Sequence, residues 1–139
     1  MAIMTHTTAI LNTPSVQSDL GELADRYHRE GFVNGGPLLD PAEVAVLTRE
    51  LDRVIAEQHT TGQPQPYRIS NLTGKADQPV WQIVNIWQAS AAFAAILRKP
   101  RLVALLSALT EGRELRLWHD QIQYKPAGIG GVNWWHQDC

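Results

Sequence analysis

The sequence predicts an α+β chain in which helices lead and strands follow. Three observations carry this. Apolar residues recur at helical spacing in successive stretches between residues 18 and 112. From Glu114 the pattern changes to an alternation of period two. A Gly-rich loop, residues 126–131, then separates that alternation from a second one over residues 132–138.

Each element has a local cause. Residues 1–17 read as a flexible, Thr-rich lead-in, with His6 solvated. Ser18 can cap a helix to about Glu30, with Leu20, Leu23, Ala24 and Tyr27 on one face and Gly31 as its stop. Phe32 and Val33 could form a short strand before the turn at Asn34-Gly35-Gly36. Asp40-Pro41-Ala42-Glu43 starts a second helix: Asp40 caps, Pro41 takes the first helical position, and Glu43 reaches back. Val44, Leu47, Leu51, Val54 and Ile55 form its apolar stripe, and it should end near Gln58. His59 then falls in a fraying last turn, where a cation is mildly favoured.

Residues 59–79 are polar and rich in Gly and Pro, a loop with room for a short strand over Tyr67 to Ser70. Arg68 there reads as a surface arginine, with an anion contact as the other reading. Val80 to Trp87 is apolar and β-branched, as a strand requires. Ser90 can cap a helix that buries Phe93, Ile96 and Leu97. Pro100 opens another, carrying Leu102, Val103, Leu105, Leu106 and Leu109, and Gly112 ends it. Residues 114–126 predict one long strand. Leu115, Leu117, His119, Gln121, Gln123 and Lys125 project one way; Arg116, Trp118, Asp120, Ile122 and Tyr124 project the other.

Bulk properties narrow the function. The 139 residues suit one domain or part of one. An apolar share of 44% against a charged share of 19% supports a packed core. The formal charge of −2 gives no pull toward nucleic acid, and no apolar run is long enough to span a membrane. Cys139 is the single cysteine, so no intrachain disulfide forms, which suits a reducing cytoplasm.

The chemistry concentrates at the end, in Asn133-Trp134-Trp135-His136-Gln137-Asp138-Cys139. On a strand, His136 and Asp138 share a face and can offer an imidazole nitrogen and a carboxylate oxygen to one ion. Two His and one carboxylate form the facial triad of non-haem Fe(II) oxygenases, which leaves positions open for a chelating co-substrate and O2. Taken alone, a His-x-Asp pair reads first as a plain hydrogen-bonded pair without metal. Upstream, His119, Gln121, Gln123 and Lys125 form a polar row. That row suits either the floor of a cavity for an anionic co-substrate or the solvated face of an edge strand.

The stretch LRLWHDQIQYKPAGIGGVNWWHQD resembles the phytanoyl-CoA dioxygenase family, with its ectoine hydroxylase relatives. YHREGFVNGG followed by LLDPAEVAVLTRELDRVI resembles the leading part of the same family. The order Lys-Pro, Gly-rich loop, Trp-His-x-Asp is the most specific piece. The resemblance implies a double-stranded β-helix, a cupin-like jelly roll, with helices outside. It implies Fe(II), 2-oxoglutarate and O2, and hydroxylation of an unactivated C–H bond of a small-molecule substrate, its partner, with release of succinate and CO2. It implies His136 and Asp138 as catalytic iron ligands, and Gln123 as a contact of 2-oxoglutarate, with Lys125 and Gln82 as further candidates. It places His119 and Gln121 toward substrate and makes Trp135 a packing residue beside the metal. Asp138 as a carboxylate ligand implies hydroxylation rather than halogenation.

The family's third ligand, a downstream histidine, and its 2-oxoglutarate-binding arginine have no match here. The other histidines, His6, His28, His59 and His119, all lie upstream. A jelly roll takes eight strands, and two or three are legible. The expectation is therefore an N-terminal part of one dioxygenase domain over 18–139, helical over 18–112 with its first core strands over 113–139. Alone it is expected to be inactive. Two other readings compete. One is a binding or interaction module without metal, in which His136 and Asp138 only hydrogen-bond. The other is a cupin-like enzyme using a different divalent metal.

Overall fold

The computed structural model describes the backbone of residues 14–132 and 135, with side chains from residue 19. Among the described residues there are four α-helices, α1 (Pro14–Glu30), α2 (Pro41–Ala56), α3 (Ala91–Ile96) and α4 (Pro100–Leu109), and three strands, β1 (Arg68–Asn71), β2 (Trp81–Val84) and β3 (Gln121–Tyr124). The described residues form two compact units. One comprises the chain through Val44 together with Ala95–Arg116; the other comprises Ala45–Ala94 together with the chain from Leu117.

In the first unit α1 packs on α4, with Leu20 and Ala104 buried. Arg101 pairs with Asp19 at 2.6 Å, and Lys99 pairs with Glu43. Gly35 lies so close to the Leu105 side chain that a Cβ would collide with it. Helix α1 begins at Pro14, so Ser18 lies inside it and does not cap it. Proline suits a helix's first turn because its missing N–H has no partner to lose there. The strand expected at Phe32-Val33 is absent, and Phe32 stands exposed. Two residues with no partner strand cannot satisfy their backbone groups as a sheet. Helix α4 closes as a Schellman turn, with Gly112 N–H donating to Ser107 O at 2.8 Å and Glu111 N–H to Ala108 O at 3.3 Å.

The start of α2 forms as the sequence predicts. Glu43 N–H donates to Asp40 Oδ1 at 2.8 Å, and Asp40 N–H donates to Glu43 Oε2 at 2.9 Å.

In the second unit the strands form one antiparallel sheet in the order β1-β2-β3. β1 and β2 fall at the strands expected over Tyr67 to Ser70 and Val80 to Trp87, with β2 shorter than expected. Opposed residues share a face, so Ile69, Ile83 and Ile122 line up on one side. They join Leu51, Val54 and Ile55 of α2, Ile86, Ala89 and Phe93 in the core. Ile83 and Ile86 are fully buried, worth roughly 1.5–3 kcal/mol each. β2 stops at Val84 because Asn85 takes a left-handed conformation at φ 58, turning Ile86–Gln88 into a 3-10 helix. Residues 113–120, expected as strand, are irregular, with Leu115, Leu117 and Trp118 exposed. Strand pairing on β3 is limited to the four residues of β2 opposite it.

Candidate functional site

The other face of the sheet is polar. Register places Ser70, Gln82 and Gln123 in one row across the three strands. The next row is Arg68, Val84 and Gln121. Val84, the apolar member of this face, is buried, while Gln121 and Gln123 are exposed. Alternation along β3 therefore holds as read: Ile122 and Tyr124 turn inward, and Gln121 and Gln123 turn to the polar side. Gln82 and Gln123, proposed from different segments, lie directly opposite each other. Lys125 follows immediately after β3 and is exposed. His119 lies two residues before β3, also exposed, and belongs to neither row.

Asp120 anchors the start of β3. Its carbonyl accepts from Asn85 N–H at 3.0 Å, and its own N–H donates to Asn85 Oδ1 at 3.3 Å. Burial raises the pKa of its carboxyl above the ordinary value, an effect only partly offset by the backbone N–H groups of Ile86 and Trp87. Asp120 Oδ1 and Trp87 Nε1 are both buried without a protein partner, and each has room in its chemistry for a water. This two-way tie to the left-handed Asn85 fixes where β3 begins, and with it the rows of the polar face.

The Gly-rich loop is held against the loop that joins β1 to β2. Asn71 Oδ1 accepts from Thr73 N–H at 3.2 Å, Thr73 Oγ1 at 2.8 Å and Val80 N–H at 3.1 Å, closing that loop. Gly131 N–H donates to Pro79 O at 3.3 Å. A Cβ on Gly131 would sit 2.7 Å from both Gln78 O and Thr73 Cγ2, and one on Gly130 would sit 2.8 Å from Lys125 Cβ. Glycine at both positions is thus a packing requirement. A pocket of about 270 Å³ lies here, lined by Asp77, Gln78 and residues 128–132. The sequence signal for this anchoring is Asn71 and Thr73, whose short polar side chains close turns.

His136 and Asp138 lie outside the described residues. Among the described residues no three His, Cys, Asp or Glu side chains gather to hold a metal. Trp135, expected to pack beside one, stands fully exposed, since no described residue covers it. The donors on the sheet do suit an oxyanion ligand: amides at Gln82, Gln121 and Gln123, a hydroxyl at Ser70, an ammonium at Lys125. No helix among the described residues is long and apolar enough to cross a membrane.

Comparison with known proteins agrees with the sequence resemblance. The family profile described as phytanoyl-CoA dioxygenase (PhyH) matches residues 27–139. An ectoine dioxygenase of Streptomyces anulatus is 27% identical over 113 residues, 81% of this chain and 36% of the relative. An ectoine dioxygenase of Nocardia farcinica is 27% identical over 126 residues, 90% of this chain and 40% of the relative. The chain thus spans well under half the length of these relatives. No solved structure matches it significantly.

Proposed function

The chain belongs to the phytanoyl-CoA dioxygenase family, and from that premise we propose that it is the N-terminal part of an Fe(II)- and 2-oxoglutarate-dependent hydroxylase of a small molecule, working in a cytoplasmic setting. One observation carries the reading to the residue level. Gln82 and Gln123 meet on a polar sheet face, and that sheet runs through an anchored Gly-rich loop into His136 and Asp138. Imidazole and carboxylate are the ligand types that ferrous iron takes in a facial triad. Together iron, 2-oxoglutarate and O2 supply the oxidation of C–H to C–OH, with succinate and CO2 released.

The protein's own residues bind and orient. Gln123 and Gln82 donate amide N–H to the oxygens of 2-oxoglutarate, and Lys125 adds a positive charge beside them. His119 and Gln121, upstream along the same segment, face the substrate. The Ile69–Ile83–Ile122 layer beneath the polar rows, with Ile83 fully buried and the other two partly so, supports this platform. The relatives' name makes a small polar metabolite of the ectoine type the first substrate to try.

The test is succinate formation. A polypeptide extending this chain to the relatives' full length should release succinate when given Fe(II), 2-oxoglutarate and a small-molecule panel. His136→Ala should abolish that release, and Gln123→Ala should raise the KM for 2-oxoglutarate several-fold. Undiminished succinate release from His136→Ala would overturn the ligand assignment. Turnover by the 139-residue chain alone would overturn the reading of it as part of the enzyme.

A further inference from the structure

The polar face carries a cation that the reading above does not use. Arg68 opens β1, and its Nη2 donates to Gln82 Oε1 at 3.1 Å. Most described arginines pair with a carboxylate, as Arg53 does with Glu50 and Arg101 with Asp19. Arg68 has no carboxylate within 4 Å among the described residues; a neutral amide holds it instead. A guanidinium has five N–H donors in a planar fork that matches a carboxylate two-pronged, and a single neutral acceptor leaves most of them unspent.

The surroundings point the same way. Within the strands this face consists of Arg68, Ser70, Gln82, Val84, Gln121 and Gln123, with no acidic side chain among them. Arg68 also orients its neighbour. Because Gln82 Oε1 is taken by the guanidinium, the Gln82 amide nitrogen is left to donate elsewhere. Gln82 in turn lies opposite Gln123. The result is a donor-rich strip crossing the sheet.

We propose that Arg68 is a carboxylate-recognition residue of this face, pairing with a carboxylate of the bound small molecule and fixing the Gln82 amide to donate to the same ligand. The proposal rests on the oxygenase reading and deepens it, by making the ligand of this strip an organic acid. Two sources offer that chemistry: 2-oxoglutarate, or a carboxylate on the substrate.

The experiment is an NMR titration of the 139-residue chain, following the Arg68 Nε–Hε and Gln82 side-chain amide signals. One arm adds 2-oxoglutarate; a second adds N-acetylglycine, a simple monocarboxylate; the control is the uncharged methyl ester of N-acetylglycine. Movement with 2-oxoglutarate alone assigns Arg68 to the co-substrate. Movement with N-acetylglycine assigns it to the substrate's acid group. In either case Arg68→Gln should weaken the response at least tenfold, with Arg68→Lys between, since lysine lacks the fork. The proposal is overturned if the ester moves these signals as far as the acids do. It is equally overturned if Arg68→Gln leaves the Gln82 response intact, or if no ligand moves either signal. The oxygenase reading has its own readout. Full-length protein carrying Arg68→Gln with unchanged KM for every acid, alongside an inactive His136→Ala, would remove this proposal and leave that reading standing.

Discussion

Glu50 accepts hydrogen bonds from two sides. Ser90 Oγ donates to its Oε2 at 2.6 Å, and Arg53 donates to both oxygens, at 2.8 and 3.1 Å. Arg53 also reaches the Ala89 carbonyl at 2.8 Å and Glu57 at 2.8 Å. These bonds tie α2 to the start of α3, and they hold the Glu50 carboxyl down at about 2. A carboxyl whose folded pKa lies below its unfolded value stabilises the fold above the unfolded value, here 4.5, and loses that stabilisation as pH falls toward 2. Glu50→Gln should therefore cost about 1–3 kcal/mol at pH 7. Urea unfolding of the two proteins from pH 7 to pH 3 should show the gap narrowing below pH 4.5. A gap that stays constant across that range would mean the carboxylate charge contributes nothing.

At the scale of elements, the Gly-rich loop is the part whose packing bears most on the site, because it leads into His136 and Asp138. With Gln78 O and Thr73 Cγ2 both 2.7 Å from a would-be Cβ, Gly131→Ala must push two loops apart. It should cost about 1–3 kcal/mol, read as a lowered unfolding midpoint. Gly21→Ala, inside α1 with nothing within 4 Å, should raise stability by about 0.5–1 kcal/mol. Matching effects from the two substitutions would contradict the packing described here.

The same elements show what the sequence could reveal. The capping box at Asp40 and Glu43, Ser90 before α3 and Pro100 at the start of α4 were all legible, because caps act within one turn. The alternation of Gln121, Ile122, Gln123 and Tyr124 was legible because it is a property of one strand. Strand lengths were not. A strand extends only as far as its neighbour offers hydrogen bonds, so the stretch expected over 114–126 pairs only at 121–124. Nor does periodicity reveal a single left-handed residue. Asn85 ends β2 three residues before Trp87 would, although asparagine is among the residues that adopt that conformation most readily. The opposition of Gln82 and Gln123 is a register, set by contacts 41 positions apart in the numbering. No local pattern contains it.

For the whole molecule, the family match over residues 27–139 and the 36–40% coverage of the relatives set the frame. In the proposed reading, the described residues supply the platform, and His136 with Asp138 supplies part of the iron's ligand set. The third ligand and the arginine for 2-oxoglutarate then come from sequence that the relatives possess beyond their match to this chain. Exposed apolar side chains of the second unit, Leu117, Trp118, Ile129 and Trp135, agree with that division, since such surface is normally covered.

The most direct test of this account is ferrous iron bound per chain, measured by anaerobic equilibrium dialysis on a polypeptide of the relatives' full length. The account predicts one tightly held iron, lost in both His136→Ala and Asp138→Ala while the fold survives by circular dichroism. Iron retained in full by both variants would contradict it.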